Sequence, residues 1–193
     1  MKKITVGFYG KYIPLQGVEY IIDAARDPRC EMYTFTLIGN GQTYAKVRTY
    51  AKEKEVTNVQ FIERMPYAEL RRKMAEWDIA LGIFGATEKT TRVIPNKVYD
   101  AIALGLPVIT GDTNAIREIF TDGSDIVLAQ VADGADLAEK IQLLAENELL
   151  RKRIAHEGRE TYERVATPVR IGASLLTFLQ SRYTNKSRVE LDT

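Results

Sequence analysis

The sequence predicts an α/β fold: one domain with a parallel sheet of roughly six strands, flanked by helices and followed by a helical C-terminal segment. Short apolar runs alternate with longer amphipathic segments, and turns rich in Gly, Pro and Asn join them, as in βαβ units. From Ala135 onward the pattern is helical only. The length of 193 residues suits one domain with a full core and is short for two.

The first half of the chain contains four apolar runs of strand type. These runs are Ile4–Tyr9, Tyr33–Ile38, Val59–Ile62 and Ile79–Phe84. A helical segment, in which apolar residues recur three or four positions apart, follows each of the first three. These segments are Val18–Ala25, Thr43–Lys54 and Tyr67–Glu76. The turn Gly39-Asn40-Gly41 marks the end of the second strand.

The second half adds two strands and the remaining helices. Pro95 suits the first helical position because its missing N–H would have no helical partner, and Gly105 stops that helix. The predicted helices are Pro95–Leu104, Ala115–Phe120, Ala135–Asn147, Leu149–Val165 and Pro168–Tyr183, and the strands are Val108–Thr110 and Asp125–Ala129. We therefore expect residues 1–183 to form a single Rossmann-like domain and the polar tail 184–193 to fray.

The composition excludes several classes of protein. Lys plus Arg is 27 and Asp plus Glu is 26, so the basic excess of a nucleic-acid-binding domain is absent. One cysteine, Cys30, and one histidine allow neither an internal disulfide nor a Cys/His zinc site. Without an N-terminal signal peptide or an apolar run of membrane-spanning length, we expect a cytoplasmic protein. Because a strand follows Met1 at once, we also expect the chain to begin at a domain boundary.

The segment Thr87–Thr110, TEKTTRVIPNKVYDAIALGLPVIT, has the properties of an anion site. A helix that begins at Pro95 leaves its first N–H groups without helical partners, and the helix dipole favours an anion beside them. The N–H groups concerned are those of Asn96, Lys97 and Val98.

Charged side chains surround this predicted helix start. Lys89, Arg92 and Lys97 supply positive charge, and Asp100 lies one turn further along the helix, where it can accept hydrogen bonds from ribose hydroxyls. The alternative is a helix start surrounded by solvated charges that bind nothing.

Two glycine-containing turns follow the first two strands. The loop Gly10–Gly17 can bring backbone close to a ligand, and Lys11 can reach a phosphate as a point charge. A plain strand–helix connection with a surface lysine is the alternative. Gly39 and Gly41 resemble the opening of a dinucleotide fingerprint, but Tyr44 stands where the third glycine belongs. An NAD site is therefore rejected, and a close backbone approach is retained.

Nearly the whole chain, about Lys3–Tyr183, resembles the C-terminal domain of group 1, retaining glycosyltransferases of the GT-B fold. The strongest piece is KVYDAIALGLPVIT, Lys97–Thr110, which is similar to the family's element of an acidic residue, Ala, a small residue, Gly and Pro-Val. The matching parts, in the family's order, are the Gly10–Gly17 loop, Leu37-Ile38-Gly39-Asn40-Gly41, Asn58–Phe61, Trp77-Asp78 and the segment Pro95–Thr110 that contains this piece.

The resemblance implies roles for single residues. Lys11 and Gln16 stand where the family has an Arg and a Lys that bind the donor diphosphate. Asp100 corresponds to the second of two spaced glutamates, which contacts the ribose, and Arg92 stands at the position of the first. Glu88, earlier in the same loop, is the candidate to replace that first carboxylate. Lys11, Arg92 and Glu88 are therefore the predicted catalytic residues.

The other donor-binding residues belong to loops at the carboxyl ends of the strands. In the family, backbone groups after the third strand read the base, and here that loop is Glu63–Tyr67, with Arg64 and Met65 as candidates. Core packing is the alternative for Met65. The predicted donor site consists of Gly10, Lys11, Gly17, Gly39, Gly41, Arg64, Met65, Asn96, Lys97, Val98 and Asp100.

The resemblance implies transfer of a sugar from a nucleotide-diphospho-sugar to an acceptor hydroxyl, with retention at the anomeric carbon. No cofactor and no metal are expected, because Lys11, Lys97 and the helix start would take the place of a cation. This chain has no room for the N-terminal domain that supplies the acceptor site in a GT-B enzyme. We therefore expect the chain alone to bind donor and to transfer little or no sugar.

Partners other than the nucleotide sugar stay open. The acceptor is a saccharide, a lipid-linked glycan or a small molecule, and the basic runs Arg71–Lys73 and Arg151–Arg153 are candidates for peripheral contact with anionic lipid at the inner face of the membrane. The helix Pro168–Tyr183, which in the family crosses back to the first domain, should expose an apolar strip. This strip includes Ile171, Leu175 and Phe178.

Two other functions are left open by the residues. One is a non-catalytic module that binds a nucleotide or phosphate and pairs with a separate N-terminal domain. The other is an epimerase of the same architecture, which also uses a nucleotide-sugar cleft.

Overall fold

Six parallel strands form one sheet within residues 3–189, which are the residues that the computed structural model describes. The strands are β1 (Thr5–Tyr9), β2 (Thr34–Ile38), β3 (Val59–Ile62), β4 (Ile79–Leu81), β5 (Val108–Gly111) and β6 (Val127–Ala129). Their order is β3-β2-β1-β4-β5-β6, and every neighbouring pair is parallel. The predicted α/β fold with a parallel sheet is confirmed.

Helices cover both faces of this sheet. They are α1 (Val18–Arg26), α2 (Tyr44–Glu53), α3 (Tyr67–Met74), α4 (Asn96–Ala103), α5 (Asn114–Arg117), α6 (Gly134–Glu146), α7 (Glu148–Val165) and α8 (Pro168–Val189). Side chains alternate along a strand, so Phe35 and Leu37 of β2 join α1, α2 and α6 in one core. Ile38 points the other way and joins α3 and α4 in the second core, with Val98 and Ile102.

The strand β4 ends at Leu81, earlier than the predicted end at Phe84. Gly82 and Ile83 still bond to β5, because Gly82 donates its N–H to the Ile109 carbonyl and the Ile83 carbonyl accepts from the Gly111 N–H (both 2.8 Å), and the backbone changes its partner at Phe84. Phe84 donates its N–H to the carbonyl of Gln16 (3.0 Å) and Gly85 to that of Leu15 (3.2 Å). The end of β4 is therefore joined to the loop that follows β1.

The last helix, α8, lies on the outside of the domain. Ile171, Leu175 and Phe178 are each more than half exposed, which confirms the predicted apolar strip. The helix continues to Val189, beyond the predicted end at Tyr183, and residues 190–193 of the predicted tail lie outside the described residues. None of the helices in the described part of the chain combines the length and apolar character needed to cross a membrane.

Candidate functional site

The crevice of the sheet lies where the strand order reverses, between β1 and β4. The connection after β1 leads to α1 on one face, and the connection after β4 leads to α4 on the other, an arrangement that opens a ligand site at the carboxyl ends of the strands. Gly17 lets the two connections touch, because a Cβ there would overlap the backbone of Phe84 and Gly85, and its φ of 62° disfavours other residues. Gly17 therefore joins the two loops and does not line the cleft itself.

A cleft of about 1110 Å³ lies beside this junction, between the loops that follow β1, β2 and β3. Six of the predicted donor-site residues line it, namely Gly10, Lys11, Gly39, Gly41, Arg64 and Met65. Gly39 has a φ of 137°, and a Cβ there would overlap the carbonyl oxygen of Gly10, so the first two loops run in direct contact. Asn40 donates to Glu63 (2.6 Å) and thereby ties the second loop to the third.

Lys97, in the first turn of α4, lies behind the backbone of Gly10; neither it nor Asn96, Val98 or Asp100 lines the cleft itself. The Lys97 side chain is buried, and its ammonium donates to the amide oxygen of Gln16 and lies 3.7 Å from the centroid of the Phe8 ring. A Cβ on Gly10 would collide with the Lys97 Nζ, so the glycine leaves the space that the ammonium occupies. Burial holds the pKa of Lys97 well below its usual range, because the charged form is removed from water. The structure thus places the buried Lys97 side-chain nitrogen directly beneath the backbone of the first loop.

Asp100 lies one turn further along α4, at the carboxyl end of β1. The Tyr9 hydroxyl donates a hydrogen bond to the Asp100 carboxylate. Burial first, and then this hydrogen bond, raise the pKa of the Tyr9 hydroxyl well above its usual range, so it stays protonated and remains a donor. Tyr9 also lines the cleft, and the sequence reasoning missed it as a site residue. Its place immediately before Gly10, at the end of a buried strand, was the available signal.

The start of α4 differs from the prediction in two respects. Pro95 precedes the helix with an extended backbone (φ −73°, ψ 146°) and α4 begins at Asn96. The prediction that the Val98 N–H is unpaired was wrong: this group donates to the Pro95 carbonyl (2.9 Å), and the Val98 side chain is buried in the core. A tightened first turn explains the difference, because it closes a shorter hydrogen-bonded ring. Asn96 and Lys97 keep N–H groups without a partner among the described residues.

Glu88 and Arg92 lie in a short 3-10 turn between β4 and α4 and form an ion pair with each other. Both side chains are mostly exposed. Arg92 borders a separate depression of about 470 Å³ next to Asn114 and Glu118, away from the loops after β2 and β3. The structure therefore does not bring these two residues into the cleft, and their catalytic role stays a prediction.

The arrangement can recognise an anion joined to a polyhydroxylated ring. Lys11 lines the cleft, Lys97 and two free N–H groups lie at the start of α4 behind the first loop, and Asp100 offers a hydrogen-bond acceptor one helical turn from Lys97. Arg64 and Met65 border the far side of the cleft, where a flat ring could rest. Among the described residues, no group of three or more His, Cys, Asp or Glu side chains is placed to hold a metal ion.

Comparison with known proteins identifies the family of the chain. The family model of the glycosyl transferases group 1 matches residues 1–161. An uncharacterized glycosyltransferase of Methanocaldococcus jannaschii is 28% identical over 153 residues, covering 79% of this chain and 41% of that protein. The chain spans less than half of the length of the curated relatives that it matches.

Solved structures show the same fold. The C-terminal domain of the group 1 glycosyl transferase LpcC from Francisella tularensis superimposes with a TM-score of 0.73 at 19% identity, covering 86% of this chain and 87% of that one. The Anabaena protein HepE, solved with UDP and glucose, superimposes with a TM-score of 0.77 at 19% identity over 93% of this chain and 48% of HepE. The chain therefore belongs to the group 1 glycosyl transferases, and its fold is that of their C-terminal domain.

Proposed function

We propose that this chain is the donor-binding half of a glycosyltransferase. It holds a nucleotide-diphospho-sugar while the sugar passes to an acceptor hydroxyl with retention at the anomeric carbon, and it requires an N-terminal domain that supplies the acceptor site. The reaction uses no metal ion. Membership of the family and the likeness to a structure that holds UDP and glucose support the donor class.

The observation that carries this proposal is the placement of Lys97 and Asp100. Both lie in the first turns of α4, and both reach the carboxyl end of β1, the cation beneath Gly10 and the carboxylate beside Tyr9. A nucleoside diphosphate carries negative charge on its phosphates and hydroxyls on the ribose to which they are joined, so it has a group for the cation and a group for the carboxylate. The diphosphate therefore lies at Lys97 and the ribose at Asp100, with the base toward the loop after β3.

The chemistry follows from this orientation. When the bond between the anomeric carbon and the diphosphate oxygen breaks, negative charge develops on the leaving group. Lys97, Lys11 and the free N–H groups at the start of α4 stabilise that charge in a partly desolvated site. These groups do the work that a divalent cation does in metal-dependent enzymes. Arg92 and Glu88, in the next loop, are the proposed contacts for the sugar itself.

Calorimetry with UDP, GDP and ADP tests the proposal. The chain is expected to bind at least one of them, to bind it equally in the presence of EDTA, and to bind it much more weakly as Lys97→Ala or Asp100→Ala. Lys52→Ala, at an exposed lysine on α2, is the matched control and should leave the affinity unchanged. Failure of all three nucleotides to bind, or equal binding by all variants, would overturn the donor site.

A further inference from the structure

Tyr9 touches both of the residues that the proposed function assigns to the donor. Its hydroxyl donates to the Asp100 Oδ2, and its ring centroid lies 5.8 Å from the Lys97 Nζ. It stands at the last position of β1, directly before Gly10, and it lines the cleft. None of the roles assigned so far explains why a phenol stands there.

Lys97 and Asp100 carry opposite charges three positions apart on α4. Such pairs ordinarily meet on a helix surface. Among the described residues these two form no ion pair, because the Lys97 ammonium is directed to Gln16 and the Phe8 ring and the Asp100 carboxylate is directed to Tyr9. An ion pair between them would neutralise the cation and occupy the carboxylate at once. The site binds a nucleoside diphosphate only if the two charges stay apart.

We propose that Tyr9 is the positioning residue that keeps Asp100 away from Lys97, so that the cation remains free for the diphosphate and one carboxylate oxygen remains free for the ribose. The Tyr9 hydroxyl uses Oδ2 only, and Oδ1 has no hydrogen-bond partner among the described residues. This inference rests on the proposed function and adds a residue to it. It also gives the shorter Asp100 a fixed direction, which an unsupported aspartate at a helix surface lacks.

The consequence of losing the hydroxyl follows from charge alone. In Tyr9→Phe the ring still fills its place, but the carboxylate loses its donor and can turn toward Lys97. Affinity for a nucleoside diphosphate should fall about tenfold or more, because hydrogen bonds to charged groups are among the stronger contacts. The contact between Asp100 and the ribose should also be lost. A comparison of ribonucleotide with deoxynucleotide measures this loss separately from a general weakening of the fold.

The experiment compares UDP and GDP, each with its 2′-deoxy analogue, by calorimetry on the full chain. The wild-type chain should bind the ribonucleotide at least about tenfold more tightly than its deoxy analogue, because only the ribonucleotide offers the 2′-hydroxyl to Asp100. In Tyr9→Phe this ratio should approach one. In the double variant Tyr9→Phe/Lys97→Met the ratio should rise again, because no cation remains to attract Asp100, although both nucleotides bind more weakly.

Tyr50→Phe is the matched control. Tyr50 also donates its hydroxyl to an aspartate, Asp23 (2.6 Å), but on the far side of the domain between α1 and α2. This variant should change neither the affinity nor the ratio. An unchanged ratio in Tyr9→Phe, including equal weakening for both nucleotides, would overturn the positioning role and leave the proposed function standing. Absence of any nucleotide binding by the wild-type chain would overturn both.

Discussion

Replacing Lys97 with methionine should lower the nucleotide affinity strongly and change the free energy of unfolding little. Methionine has nearly the same shape as lysine and no charge. The substitution relieves the desolvation of the buried ammonium, which amounts to several kcal/mol per ion. It also removes the contact with the Phe8 ring, worth about 2 kcal/mol when desolvated, and leaves the buried Gln16 oxygen without its donor, at a cost of about 1–3 kcal/mol. These effects oppose each other, so the free energy of unfolding should change by less than about 2 kcal/mol.

Binding should respond very differently to the same substitution. A hydrogen bond to a charged group contributes about 1.5–3 kcal/mol, which corresponds to a loss of about 10- to 150-fold in nucleotide affinity. The two effects are measured on the same samples, stability by urea unfolding and affinity by calorimetry with UDP and GDP.

The matched control is Lys52→Met, at an exposed lysine on α2, which should alter neither quantity by more than about 0.5 kcal/mol. Two results would refute the reasoning. Unchanged affinity in Lys97→Met would remove Lys97 from the site. A loss of stability above about 4 kcal/mol would show that the ammonium holds the fold together, as a removed partner of a buried ion pair does.

Three further predictions follow from the same contacts. Burial lowers the pKa of Lys97, and a bound diphosphate should raise it again, so nucleotide binding should take up a proton and weaken as the pH rises between the pKa of the free chain and that of the complex. Binding enthalpies measured in buffers of different ionisation enthalpy report this proton uptake, and Lys97→Met should abolish it. Burial raises the pKa of the single thiol, Cys30, to about 12, so Ellman's reagent should react with it only after unfolding, and prompt reaction of the folded chain would contradict this. Gly39→Ala should lower the free energy of unfolding by at least about 2 kcal/mol, because its Cβ would overlap the Gly10 carbonyl. Gly172→Ala should raise the free energy of unfolding by up to about 1 kcal/mol, because no atom lies within 4 Å of the added Cβ. Thermal unfolding of both variants tests this difference.

The architecture was predictable because it depends on local patterns. Apolar runs of strand length and apolar residues at helical spacing are sufficient to place the sheet and most of its helices. The 3-10 turn Glu88–Arg92 was not predicted, because a Thr87–Thr90 capping box without an apolar pattern does not distinguish a turn from a loop. The change of hydrogen-bond partner at Phe84, just beyond β4, depends on a loop more than sixty residues earlier in the chain, which no local pattern encodes.

The site was predictable in its parts but not in its contacts. Lys97 and Asp100 were identified from a helix start and from a family motif. The partner of each is distant in sequence: Gln16 is 81 positions from Lys97, and Tyr9 is 91 positions from Asp100. Gln16 stands where the resemblance implies a Lys, and the structure places the Lys97 side-chain nitrogen against it, so a lysine reaches that loop from another element. Only the fold brings these positions together.

A crystal structure of the chain with its tightest-binding nucleoside diphosphate tests the central claim most directly. We expect the diphosphate within hydrogen-bond distance of the Lys97 Nζ and the N–H groups at the start of α4, with the ribose hydroxyls on Asp100. A nucleotide bound elsewhere, such as the depression of about 820 Å³ lined by Asp23, Arg26 and Asn58 at the amino ends of β2 and β3, would contradict the assignment of the donor site.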